Sequence, residues 1–257
     1  MKIVTWNVNG LRAVAQKGLL EFWQQESPDL LCLQETKCHP DQVDFAAIPP
    51  KGWSGYWSAA QKAGYSGTAT FSKTAAESFR PGIGIKKFDA EGRVVETRFR
   101  DFTLLNIYFP NGGSGQERHQ FKQEFLRRLA EETNRRIKSG EALIVVGDFN
   151  VAYMDTDVYD PKALSKESGF LPEERQWMRN WLESGFIDCY RYIHPDKTDA
   201  FTWWAYYENA RVSNRGWRID HICISRNLES RLKSATILDS QEGSDHCPVL
   251  VELEGTL

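Results

Sequence analysis

A series of short apolar runs rich in β-branched residues limits the fold of this chain more than any other feature. They read KIVTWN (2–7), LLCLQE (30–35), GTATFS (67–72), VVETRF (94–99), FTLLNIYFP (102–110), LIVVGDFN (143–150), IDHICIS (219–225) and CPVLVELE (247–254). Runs of this length and composition are read as strands. The runs 94–99 and 102–108 are separated by a very short turn, so antiparallel pairing is expected there. Helical segments are expected at 18–26, 116–140 and 172–185. In the longest, Phe121, Phe125, Leu129 and Ile137 recur at helical spacing and Gly140 is the stop. The last has Pro172 near its start and Gly185 after its end. Many strands with few helices predict an α/β fold of two packed sheets flanked by helices. No repeat or linker rich in Pro, Gly or Ser interrupts the chain, so one domain over 1–257 is expected.

Composition adds mainly exclusions. No apolar run approaches a membrane span, and MKIVTWNVNG lacks the apolar core of a signal peptide, so export is not expected. The 5 cysteines, Cys32, Cys38, Cys189, Cys223 and Cys247, are odd in number and have no CxxC spacing. They fit reduced, mostly buried thiols of a cytoplasmic protein rather than a disulfide or zinc framework. A net charge of −3 announces no polyanion partner, so any nucleic-acid surface must be a local patch.

The runs share a second property: they stop at polar groups. LIVVGDFN ends in Asp148 and Asn150, two residues apart and, in an extended strand, on one face. KIVTWN ends in Asn7, with Asn9 beyond, and LLCLQE in Gln34 and Glu35. FTLLNIYFP reaches Tyr108, with Asn111 just after it; Asp220 opens the DHICIS run, and Asp245 and His246 precede CPVLVELE. Gly, Asp and Asn favour turns, and for any one run a turn is sufficient explanation. Glu, Tyr and His are not turn residues, so a turn does not explain the set. Carboxylates and carboxamides together suit a hard cation such as Mg²⁺, which prefers oxygen. The lack of a His pair or clustered Cys argues against zinc.

The stretches WNVNGLRA, PDLLCLQETK, GYSGTA, DAEGRVV, YFPNG, GDFNVA, GFLPEER, FTWWAY, NRGWRIDH and GSDHCP extend this pattern over nearly the whole chain. In them the sequence resembles the exonuclease III family of AP endonucleases, within the DNase I-like endonuclease/exonuclease/phosphatase superfamily. The resemblance implies a four-layer α/β sandwich of two mainly antiparallel sheets between helices. It implies Mg²⁺, with Mn²⁺ as a substitute, held by Glu35 with Asn7 and Asp245, and Asp148 and Asn150 as further candidate ligands. As catalytic residues it implies Asp148 to orient or deprotonate water, and Asn150 to hold that water or a phosphate oxygen. His246 would meet the scissile phosphate, Asp220 would fix the His246 tautomer, and Tyr108 would donate to the phosphate. Without the resemblance, Glu35 could simply pair with Lys37, and His246 with Asp220 could be a structural pair.

The implied substrate is double-stranded DNA with abasic sites or blocked 3′ ends. It would be cut by a monomer 5′ to the lesion, with 3′-end cleaning and 3′→5′ exonuclease activity. A pocket that admits a bare deoxyribose must be small and apolar; Trp203, Trp217 and Ile219 match its walls, though Trp more often fills cores. Asn9, Lys37, Tyr65, Arg93 and Asn111 are expected to grip the backbone without reading sequence. The chain departs from the family at Ser114, Leu164, Glu167, Tyr207 and Glu208, which bears on DNA grip and not on the chemistry. Two other readings are a catalytically inactive, nucleic-acid-binding regulator and a phosphodiesterase for lipid headgroups or inositol phosphates. The presence of Asn7, Glu35, Asp148, Asn150, Asp220, Asp245 and His246 argues against the first. The NGLRA, TWW and GWRID set argues against the second.

Overall fold

The computed structural model describes residues 1–43, 49–207 and 209–257. In chain order it begins β1 (Lys2–Asn7), α1 (Leu11–Ala15), α2 (Leu19–Glu26), β2 (Leu30–Gln34), β3 (Ser54–Ser58), β4 (Thr68–Ser72) and β5 (Ser78–Pro81). Next come α3 (Lys86–Asp89), β6 (Val94–Arg98), β7 (Thr103–Tyr108), α4 (Gln116–Lys138) and β8 (Leu143–Asp148). The chain closes with α5 (Pro172–Glu183), β9 (Phe186–Asp188), α6 (Cys189–Ile193), β10 (Trp203–Trp204), β11 (Gly216–Trp217), β12 (Asp220–Ser225), β13 (Leu232–Ile237) and β14 (Val249–Leu253).

Two six-stranded sheets result, in the orders β13-β14-β1-β2-β4-β3 and β5-β6-β7-β8-β12-β9. Pairing is antiparallel throughout except β1 with β2 and β7 with β8. The expected hairpin is present, with Val94 opposite Ile107. Inward-facing residues of both sheets, including Ile3, Leu30, Leu104, Ile144, Ile224 and Val251, form one apolar cluster between them. The opposite face of β7 and β8 packs on α4 and α5, and that of β1 and β2 on α1 and α2. Four layers follow from the period-2 alternation of the strands.

The strands that lack an apolar run in the sequence are the sheet edges β3, β5, β9 and β13, with the small β10–β11 ribbon. β5 is exposed along its whole length, and β3 and β13 alternate only weakly. An edge strand takes its hydrogen bonds from one neighbour and needs no core face, so periodicity does not reveal it.

One strand end differs from expectation. β8 stops at Asp148, and Asn150 has φ 50°, so the two do not share a face by strand alternation. Instead Asp148 Oδ1 accepts the Asn150 N–H at 2.8 Å, a side-chain-closed turn. The turn brings the Asn150 carboxamide back to the Asp148 carboxylate, with Nδ2 3.2 Å from Oδ2. Gly147 is required just before it: a Cβ there would lie 1.9 Å from the Ile107 carbonyl oxygen of β7. No helix among the described residues is long and apolar enough to cross a membrane.

Candidate active site

Register assembles the centre. Tyr108 of β7 and Asp220 of β12 both pair with Asp148 of β8, so three polar groups stand in one row at the end of the inter-sheet layer. Asn7 faces them from β1: its Nδ2 donates to Asp148 Oδ2 at 2.9 Å and to Glu35 Oε1 at 3.0 Å. Asn150 Nδ2 donates to Asp148 Oδ2 at 3.2 Å and to the Phe109 carbonyl at 3.0 Å. Asn111 Nδ2 donates to Asn150 Oδ1 at 3.1 Å. Asn9, Glu35, Lys37 and Asn150 have φ of 48°, 51°, 52° and 50°. For Glu and Lys this left-handed backbone is strained, and such strain persists where the surroundings impose it, often at functional sites.

His246 Nδ1 donates to Asp220 Oδ2 at 2.8 Å, and its Nε2 lies 3.9 Å from Asp148 Oδ2. Burial alone would lower the imidazole pKa, but Asp220, Asp148 and Asp245 raise it to about 10. Burial, followed by the Asp220 charge, pushes the Asp148 carboxyl up to about 7 against His246 and the Asn7 hydrogen bond. For Glu35, burial is opposed by Lys37 and Asn7, and the result is a lowered pKa. Burial with Glu35 and Asp148 nearby keeps the Tyr108 hydroxyl well above its usual value, a neutral donor. The centre therefore sets a protonated imidazole and a phenol against carboxylates, one of which titrates near neutrality.

Two arrangements of metal-binding groups are present. Asp148, Asp220 and His246 bring ligand atoms within 4.8 Å of one another. His246, however, carries its proton and is committed to Asp220, which makes it a poor ligand. Around Glu35 the candidate ligand groups are its own carboxylate, the Asn7 carboxamide, which turns Nδ2 to Glu35 and Oδ1 to the Asn9 N–H at 3.0 Å, and, reached through Asn9 Nδ2 at 2.9 Å, the Asp245 carboxylate. The Lys37 ammonium lies 2.9 Å from Glu35 Oε2 and also bonds Asn9, so this carboxylate already faces a cation. Oxygen donors without thiol or free imidazole fit a hard divalent cation.

Beside the centre opens a cleft of about 560 Å³ that includes Tyr108, Asn150, Trp203, Trp217 and Ile219. Trp203 Nε1 donates to Asp245 Oδ2 at 3.1 Å, while Trp217 and Ile219 pack with Ala152, Val158 and Phe170. Leu164, Glu167 and Tyr207 line the same cleft; Ser114 is exposed on the loop before α4, and Glu208 lies outside the described residues. Arg93 is not free to grip DNA as expected. Only 2% exposed, it pairs with Glu91, donates to Tyr65 Oη at 2.9 Å and the Tyr108 carbonyl at 3.0 Å, and stacks on the Tyr108 ring. Its two links toward the surface are the partly exposed Tyr65 and Glu91. Gln34 likewise turns inward, donating to Asn106 Oδ1 at 2.7 Å and Thr5 Oγ1 at 2.9 Å.

Sequence reasoning missed Glu91 and Arg118, which join Arg93 at Tyr65, and Ser244, whose hydroxyl donates to the Asn7 carbonyl at 2.8 Å. It also missed Lys122. The available signal was a Lys set among the inward apolar positions of α4.

A four-layer α/β sandwich with an acid–imidazole–carboxamide centre at one end of its inter-sheet layer defines a DNase I-like hydrolase. The chain belongs to the endonuclease/exonuclease/phosphatase family, whose model matches residues 4–246. It is 40% identical over 250 residues to a Bacillus subtilis exodeoxyribonuclease, covering 97% of this chain and 98% of the relative. It is 39% identical over 262 residues to the DNA repair nuclease APEX1 of Danio rerio, covering 98% and 82%. Among solved structures, the 3′ phosphatase NExo from Neisseria, bound to product DNA hairpin, superposes with a TM-score of 0.91 at 30% identity, covering 99% of this chain and 100% of that one. The chain is a nuclease of this family, a hydrolase acting on phosphodiester bonds.

Proposed function

We propose that this nuclease acts in DNA repair, hydrolysing the backbone 5′ to abasic sites and clearing blocked 3′ ends. It would work as a monomer in the cytoplasm, with residues 1–257 forming one catalytic domain. The observation that carries the reading is the Tyr108–Asp148–Asp220 row, capped by His246 and set beside an aromatic-walled cleft. Glu35, Asn7 and Asp245 would hold Mg²⁺, or Mn²⁺ in its place, with Asp148 and Asn150 as further candidates. When bound, the ion would offset charge developing on the phosphate.

The chain's own groups account for the remaining steps. Asp148, with a pKa of about 7, is matched to taking a proton from water near neutral pH. Asn150, whose Nδ2 is held by the Phe109 carbonyl and Asp148, lines the cleft and would meet that water or a non-bridging oxygen there. The His246 Nε2–H and the Tyr108 hydroxyl donate to the phosphate as its charge grows. Asp220 keeps the imidazole oriented and protonated. Trp203, Trp217 and Ile219 would accept an extruded deoxyribose and exclude a base, and extrusion costs least where pairing is already lost. Asn9, Lys37, Tyr65 and Asn111 would contact phosphates, with Arg93 and Arg118 acting through Tyr65.

The test is a labelled duplex with one abasic analogue, run beside undamaged and 3′-phosphate duplexes in Mg²⁺ and in chelator. Single cleavage 5′ to the analogue, abolished by chelator, is expected. Equal cutting of undamaged duplex would remove the abasic specificity.

A further inference from the structure

Lys122 and Glu174 form an ion pair that no step of this reaction uses. Both are fully buried, one on the inward face of α4 and the other in the first turn of α5, with Nζ 2.5 Å from Oε1. Removing two charges from water is costly, and apolar groups of similar volume often stabilise a fold equally well. Stability alone is therefore a poor reason for this pair.

Each partner also hydrogen-bonds a different loop. Lys122 Nζ donates to the backbone carbonyl of Asn150 at 2.8 Å. Glu174 Oε2 accepts the amide N–H of Gly169 at 2.6 Å and of Leu171 at 3.2 Å. The loops also meet directly, since the Ala152 N–H donates to the Gly169 carbonyl at 2.8 Å. At Gly169, where φ is +100°, a Cβ would lie 3.1 Å from the Asn150 carbonyl and 3.3 Å from the Trp217 ring. Phe170, next in the chain, packs edge-on against Trp217. A single ammonium–carboxylate bridge thus reaches both the turn that aims Asn150 and the wall of the cleft.

We propose that Lys122 and Glu174 are positioning residues that fix the Asn150 turn and the Gly169–Phe170 wall in one mutual register, so that turnover and substrate discrimination depend on the pair together. Its activity arm rests on the nuclease reading above; its structural arm does not. The variant for the test is the double substitution Lys122→Met, Glu174→Gln, which removes both charges and avoids leaving either one buried without a partner.

Hydrogen exchange followed by mass spectrometry gives the first readout. Amides of 149–152 and 168–171 are expected to exchange at least about tenfold faster, while β8 and the thermal midpoint stay near the parent. Kinetics give the second. With abasic duplex, kcat should fall at least about tenfold at a nearly unchanged KM, as for a misplaced reacting group, and the preference over undamaged duplex should shrink. Parent-like exchange in both loops overturns the proposal. So does faster exchange everywhere with a lower midpoint, because the pair is then a general support. If the parent leaves abasic duplex uncut, the substrate reading fails, and exchange still decides this inference.

Discussion

The two ends of the inter-sheet layer are made by the same strands and have opposite characters. At one end Ile3, Leu30, Leu104, Ile144 and Ile224 meet in an apolar cluster. At the other, the same inward positions are Asn7, Gln34, Tyr108, Asp148 and Asp220, most of them equally buried. The apolar end stabilises the fold, each large side chain contributing roughly 1.5–3 kcal/mol by burial. The polar end gives up that contribution, and most of its polar atoms are hydrogen-bonded, while Asp220 Oδ1 and Gln34 Oε1 are buried without a hydrogen-bond partner among the described residues. Continuity between the two matters: the apolar end holds the strands in register, and register alone brings Tyr108, Asp148 and Asp220 into one row.

The sharpest way to break the comparison is to change one residue at each end of β8. Asp148→Asn is expected to lower kcat at least about 10²-fold, the usual range for a positioned base. Its thermal midpoint at neutral pH in chelator should not fall, since the carboxyl's pKa is raised by burial and the charged form is the disfavoured one. Ile144→Ala should do the reverse, costing about 2–5 kcal/mol in denaturant unfolding while the folded enzyme keeps near-parent kcat. If both variants lose stability and turnover alike, the two ends are not separable.

A smaller effect is expected from Asp220→Asn, which sharpens the polar end. With Asp148 needed as the base and His246 as the acid, kcat should rise with pH through about 7 and decline through about 10. Asp220 raises both pKa values, so removing its charge should move both limbs to lower pH and reduce the maximum. The pH–rate profile decides: a lower maximum with unmoved limbs would mean that Asp220 only props the ring. The smallest effect concerns the rim, away from both ends. Ser114 is exposed on the loop before α4, and Ser114→Arg should steepen the slope of log affinity against log salt by up to about one unit. Binding of an uncleavable abasic duplex in Ca²⁺ across salt concentrations tests it, and an unchanged slope would place Ser114 away from the DNA.

Much of this was legible in the sequence. The short apolar runs KIVTWN, LLCLQE and LIVVGDFN, rich in β-branched residues, identified the central strands, and their polar ends identified Asn7, Glu35 and Asp148 as candidates. Gly140, Pro172 and Gly185 bounded the helices through local backbone preferences. Properties that depend on a single stretch can be read from that stretch. Others required distant segments to meet. The edge strands β3 and β5 exist because a neighbour offers hydrogen bonds, not because their own residues form a buried apolar face, and the short β9 shows its buried Phe186 and Ile187 only once the clusters they join are assembled. The inward turn of Gln34 and the burial of Arg93 were settled by Asn106 and by Glu91, Tyr65 and Tyr108. The same holds for the raised pKa of Asp148, which comes from its burial between the sheets and from the Asp220 charge on the neighbouring strand β12, against His246. Charge interactions and burial fall off with distance in space rather than along the chain, so only the tertiary structure could decide them.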